Sequence, residues 1–231
     1  MTPGSLSRRT QPVMHALKLG VAFVLAAALA GCSMPFVNVA SPNALTVTGQ
    51  GEPGADPVRL AGDFDAAYYS YQDENSVTFV LLDGPEANPD QAAVLRLFWR
   101  PRAGRTPLES TATNVTIQYL VFADRGGNPD DAEVGVYAGA GFLMPGQKPG
   151  PAKLSAEVWD ANLQLDTRSD QFRDLLGLAT LTGSFTATRD EAKVNDLLNT
   201  LTRQVSARLG FPRLVRTDAP TPALPLAAEP M

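Results

Sequence analysis

The sequence predicts a mainly β domain, an antiparallel β-sandwich or barrel-like fold, with one C-terminal amphipathic α-helix. Three observations carry that reading. Between residues 77 and 187, apolar residues alternate with polar ones in run after run, as strands with one buried face require. Turn chemistry rich in Gly, Pro, Asn and Asp separates the runs, at 83–90, 100–107, 124–131 and 145–151. After Thr188 the apolar spacing becomes helical.

Taken in order, Leu45 to Thr48 reads as a short strand inside a Pro- and Gly-rich stretch. In FDAAYYSYQ, Tyr69 and Tyr71 share one strand face and Tyr68 takes the other. Val77 to Leu82 is apolar on nearly both faces and is expected to be a central strand. Leu95, Leu97 and Trp99 alternate with Arg96 and Arg100, and Val115, Ile117, Tyr119 and Val121 alternate with Thr116 and Gln118. In VGVYAGAGF, Gly135, Gly139 and Gly141 fall on one face, which reads as a bulged or bent strand. Trp159, Ala161, Leu163 and Leu165 form the next apolar face. A short helix is expected near Ser169–Leu176, then a strand through Ala179, Leu181, Phe185 and Ala187.

The final helix is the best specified element. Val194, Leu197, Leu198, Leu201, Val205 and Leu209 form one stripe, expected to pack on the sheet. Thr188 and Glu191 fit a capping box, Arg203 and Arg208 suit the C-terminal dipole, and Gly210 followed by Pro212 gives a stop.

The N-terminus speaks to address rather than fold. Arg8, Arg9 and Lys18 precede the apolar run Leu19 to Ala30, and no acid occurs before Glu52. Positive charge, a short apolar core and small residues together describe an export signal. Its 12 residues fall well short of the ~20 needed for a membrane-spanning helix. Ser7-Arg8-Arg9-Thr10 is a poor twin-arginine match, because Gln11 and Pro12 follow it. Met14 is an alternative start, since MHALKLGVAFVLAAALAGC is complete as a signal.

Leu29-Ala30-Gly31-Cys32 resembles the lipobox of bacterial lipoproteins at all four positions. The resemblance covers only the first 32 residues. It implies cleavage between Gly31 and Cys32, a diacylglyceryl group on the Cys32 thiol, and acylation of the new amino group. It also implies a periplasmic, lipid-anchored protein, with Ser33 pointing to the outer rather than the inner membrane. Two or more acyl chains at about 0.8 kcal/mol per buried methylene hold a protein stably. The expected organisation is a signal over 1–31, a lipidated tether over 32–56, the β-rich domain with its helix over 57–211, and a Pro-rich disordered tail over 212–231.

Composition narrows the chemistry. The signal holds three of the 19 basic residues and none of the 24 acids, so the mature chain is strongly acidic. That argues against a nucleic-acid partner, which needs clustered cations. The single histidine, His15, lies in the signal, and the single cysteine is the acylation site. The mature chain then has neither imidazole nor free thiol, which excludes Ser-His-Asp and Cys-His catalysis and zinc sites built on His or Cys. No cofactor and no metal is expected.

The candidate surface residues are Tyr68, Tyr69 and Tyr71, for stacking on a glycan or a protein partner, and Arg96 and Arg100, with Arg102 and Arg105, for an anionic group. Core or edge packing and a solvated strand face are the plainer expectations for them. Asp124, Asn128, Asp130, Asp131 and Glu133, like Asp83, Glu86 and Asp90, read as turn residues rather than a Ca²⁺ site. The leading expectation is a non-catalytic binding or structural module at the bacterial envelope. The alternatives are an envelope hydrolase working through a carboxylate pair and an accessory subunit of an envelope assembly complex.

Overall fold

In a computed structural model, residues 43–50, 56–101, 112–123, 133–213 and 215 are described. Residues 1–31, expected to be a signal, Cys32, Arg102, Arg105, most of the Pro-rich tail, and Asp124, Asn128, Asp130 and Asp131 lie outside the described residues.

The chain forms β1 (Ala44–Gly49), β2 (Arg59–Asp63), β3 (Ala66–Asp73), β4 (Ser76–Asp83), β5 (Gln91–Leu97), β6 (Val115–Ala123), β7 (Glu133–Pro145), β8 (Lys153–Arg168), β9 (Ala179–Arg189) and α1 (Glu191–Leu209). Strands β3 to β9 pair in sequence order, and β9 pairs with β3 as well as β8, closing a seven-stranded ring. The fold is therefore a barrel. Its pairings are antiparallel except the short β3–β9 seam, where Tyr68 and Tyr69 lie parallel to Thr188 and Arg189.

β1, which the sequence places in the tether, belongs to this sheet. It pairs with β9 along its whole length and with β2 on its other edge. Asn43 bridges the gap where β9 leaves β1. Its Nδ2 donates to the Phe64 carbonyl (3.2 Å) and its Oδ1 accepts from the Thr186 N–H (2.8 Å). A side-chain amide here satisfies groups that no strand reaches.

Two apolar clusters share the strands. The inward faces meet in the lumen, where Tyr69, Phe79, Leu81, Leu95, Tyr119 and Phe185 are fully buried. Phe79 packs edge-on against Phe185 (centroids 5.1 Å apart) and tilted against Tyr69 (5.8 Å). The outward faces of Val80, Leu82, Val94, Leu120 and Val136 meet the α1 stripe of Val194, Leu197, Leu198, Leu201 and Val205. This is why β4 is apolar on both faces. Val215 is buried in the same outer cluster.

Glycine makes the β7–β8 hairpin bend. A Cβ on Gly139 would lie 1.8 Å from the Asn162 carbonyl oxygen, and one on Gly135 would strike the Phe172 ring at 2.2 Å. Both positions need a bare backbone for close approach.

Three expectations are corrected. The N-cap of α1 is Asp190, not Thr188. Its Oδ1 accepts from the Lys193 N–H at 2.8 Å, because Thr188 is still paired within β9. Trp159 does not share a face with Ala161. A bulge at Trp159–Asp160, with Asp160 in the left-handed region (φ 42°), turns Trp159 outward to 40% exposure. Residues 169–176 form no helix; Asp174 Oδ1 there accepts from the Leu176 and Gly177 N–H groups, a turn instead of a helical ladder. The helix itself ends as expected, with Gly210 at φ 74° donating to the Ser206 carbonyl.

Candidate functional site

One end of the barrel is finished by irregular chain. Residues 169–178, between β8 and β9, fold over it and bury Phe172 and Leu176 in the lumen cluster. Phe172 packs edge-on against Tyr137 at 6.4 Å. The segment is stitched to β7: Ser169 donates its N–H to the Val134 carbonyl, its hydroxyl accepts from the Val134 N–H, and the same hydroxyl donates to Glu133. Tyr137 Oη donates to Asp174 Oδ1 (2.8 Å). Asp174 thus joins the barrel wall to the turn that shapes the segment.

The β1–β2 hairpin leans over the same end, with Leu60 against the lumen cluster. Between β2, β6 and the 169–178 segment it leaves an apolar cleft of about 160 Å³. Val58, Leu60, Val121, Phe172, Leu175 and Leu176 line it, and Arg59 and Arg173 stand at its solvent edge. Leu175 is 63% exposed, and Leu178, two residues past Leu176, is 59% exposed.

Near β2, Asp83 meets Gln91 and Tyr119, within electrostatic reach of Asp63, Asp65 and Asp90. Tyr119 donates to Gln91 Oε1, and Gln91 Nε2 reaches Asp83 Oδ2 (3.4 Å) and the Ala61 carbonyl (3.5 Å). Burial pushes the Asp83 carboxyl above its ordinary range, a backbone hydrogen bond from Asp63 offsets part of that, and the charges of Asp90, Asp65 and Asp63 add to it. Burial also holds Tyr119 far above its usual value, and Tyr137 likewise, there reinforced by Asp174. Both phenols stay protonated and act as donors.

A second recess, polar and about 440 Å³, follows the β3–β9 seam between Asn43, Asp65, Tyr68, Lys153 and Thr188. Neither it nor the apolar cleft is lined by two carboxylates. Among the described residues no three metal-binding side chains gather at a common point.

No protein-family model, no curated protein and no solved structure matches the chain. The site is read from its own chemistry.

The structure scatters the candidate residues. Tyr69 is buried in the lumen and donates to the Pro151 carbonyl. Tyr68 packs against the α1 cluster. Tyr71 packs on the lumen cluster, with the Arg189 guanidinium over its ring at 5.3 Å. The three form no shared platform. Arg96 lies two strands away, in register with Thr78 and Thr116. Arg100 closes the opposite end, pairing with Glu74 at 3.3 Å while Glu74 also meets Lys148 at 3.6 Å. Gly31 and Cys32 lie outside the described residues.

The turn residues have structural partners. Glu86 pairs with Lys193 (2.5 Å), the Ala87 carbonyl accepts from Gln204 and Asn88 accepts from Arg208, so the β4–β5 loop holds α1. Two surface features escaped sequence reading. Arg59, Arg173 and Leu175 carry no motif and meet only when the hairpin folds over the barrel. The bulge at Asp160 creates an aromatic patch of Trp99, Phe142 and Trp159, with centroid separations of 6.0 Å and 5.5 Å. The positive φ at Asp160 comes from the fold, and an Asp in a strand does not announce it.

Proposed function

We propose that the protein is a lipid-anchored envelope lipoprotein whose barrel serves as a non-catalytic binding module on the periplasmic side, at the outer membrane in preference to the inner. The observation that carries this reading is the placement of the sole cysteine, Cys32, at the end of a short apolar run in Leu-Ala-Gly-Cys. No described helix is long and apolar enough to cross a membrane. The apolar cleft lined by Leu60, Val121, Phe172 and Leu176 supports the binding half of the reading. The alternative, a hydrolase working through a carboxylate pair, needs its two carboxyl groups about 5–10 Å apart across one cleft. An envelope protein partner or a glycan would find exposed aromatic surface at Phe98 and Trp159.

The anchor is tested by Cys32→Ser with cell fractionation and gel mobility. Loss of membrane retention and of the lipid-dependent mobility is expected. Retention and mobility both unchanged would defeat the lipoprotein reading.

A further inference from the structure

We propose that the cleft between β2, β6 and the 169–178 segment binds a single-chain amphiphile, with its hydrocarbon tail against Leu60, Val121 and Leu176 and its anionic head group at Arg59 and Arg173. The inference deepens the binding-module reading and does not depend on the anchor.

Three features of the cleft select this ligand. Its walls are almost wholly apolar, and the one hydroxyl in the lining, Tyr137 Oη, is already donated to Asp174. A peptide laid there would bring N–H and C=O groups with few partners, at a cost of about 1–3 kcal/mol for each one buried unpaired. A hydrocarbon tail brings none and gains about 0.8 kcal/mol per methylene removed from water.

Second, the charge is concentrated where a head group would sit. The chain carries a net charge of −5, yet both charged residues lining the cleft are arginines. Neither is in an ion pair among the described residues. Guanidinium groups suit carboxylate and phosphate heads through paired N–H donors.

Third, Leu175 and Leu178 are left in water although Phe172 and Leu176 in the same segment are buried. The segment needs only the second pair to close the barrel. Leu175 also lines the recess, so it extends the surface open to a tail. A recess of about 160 Å³ fits part of one chain rather than a bilayer surface.

The test uses the full chain carrying Cys32→Ser, with a dansyl-labelled medium-chain fatty acid as probe below its micellar concentration and its methyl ester as the neutral control. Expected is saturable fluorescence enhancement, with the acid bound more tightly than the ester. Arg59→Glu with Arg173→Glu weakens the acid by about tenfold or more and leaves the ester unchanged. Leu175→Asp weakens both probes, while matched thermal melts show the fold intact. The parent's signal segment is common to all variants, so its contribution cancels.

Absence of saturable binding, equal affinity for acid and ester, or indifference to Leu175→Asp would overturn the proposal. So would co-sedimentation with anionic vesicles that depends on the arginines while the monomeric acid does not bind, since that assigns the cleft to a membrane surface. Fractionation of the Cys32→Ser strain reports on the anchor separately.

Discussion

The helix-covered wall and the capped mouth of the barrel are built from the same apolar side chains but finished differently. On the wall, five of the six stripe residues of α1 are buried and Leu209 is partly so, and three polar contacts from the β4–β5 loop hold the helix in place. At the mouth, the 169–178 segment buries Phe172 and Leu176, and leaves Leu178 in water and Leu175 in water at an open cleft. An amphipathic helix hides its apolar stripe because one periodicity sets both the stripe and its spacing. An irregular segment has no such period, so it closes the core with some residues and offers others outward. The wall is therefore structural, and the mouth is where apolar surface stays available.

The wall is expected to be the more sensitive of the two. Leu201→Ala removes a side chain 1% exposed beneath α1, and a loss of about 2–5 kcal/mol in global stability is expected from denaturant unfolding. A loss under 1 kcal/mol would show that the helix does not complete the core.

At the mouth the effect is expected to be smaller and local. Asp174→Ala leaves Tyr137 Oη and two backbone N–H groups without their acceptor, costing about 1–3 kcal/mol. Hydrogen exchange would speed up over residues 169–178 with α1 unaffected. Equal acceleration in the helix would show that the mouth and the wall unfold as one unit.

Asp83 sharpens the acidic side of the mouth. Its carboxyl holds a proton more tightly in the fold than in the unfolded chain. Its ionisation therefore costs stability, and that cost grows as pH rises through the ordinary carboxylate range to the raised folded value. Asp83→Asn is expected to raise the melting temperature at neutral pH and to leave it unchanged below the ordinary carboxylate range. A neutral-pH decrease would mean that Gln91 needs the charge.

The smallest effects are at the surface. Glu86→Gln breaks the pair with Lys193, which lies partly in solvent, and should cost less than about 1 kcal/mol. Leu175→Asp should change stability by no more than about 0.5 kcal/mol. A large loss there would mean that Leu175 serves the core and is not held out for a ligand.

Much of the scaffold was legible because it follows local periods. The double-sided burial of β4, the stripe of α1 and the stop at Gly210 are all written in spacing. The errors came where tertiary contacts compete with local rules. Thr188 resembles a cap but stays in β9 because Lys153 of β8 pairs with it. Trp159 has the right spacing for the lumen, yet the β7–β8 bend inserts Asp160 and turns it out. Residues 169–176 have helical composition, but Tyr137 draws Asp174 into a turn.

Alone, the sequence determined the β class, the terminal helix, the acidic balance and the absence of imidazole from everything beyond residue 15. These depend on residue type and on spacing along the chain. Only the tertiary structure decided that the sheet closes into a barrel, that the three tyrosines part company, and that Arg59 and Arg173 meet at one cleft. The two arginines are separated by about half of the chain, and no local period records a contact made by closing a ring.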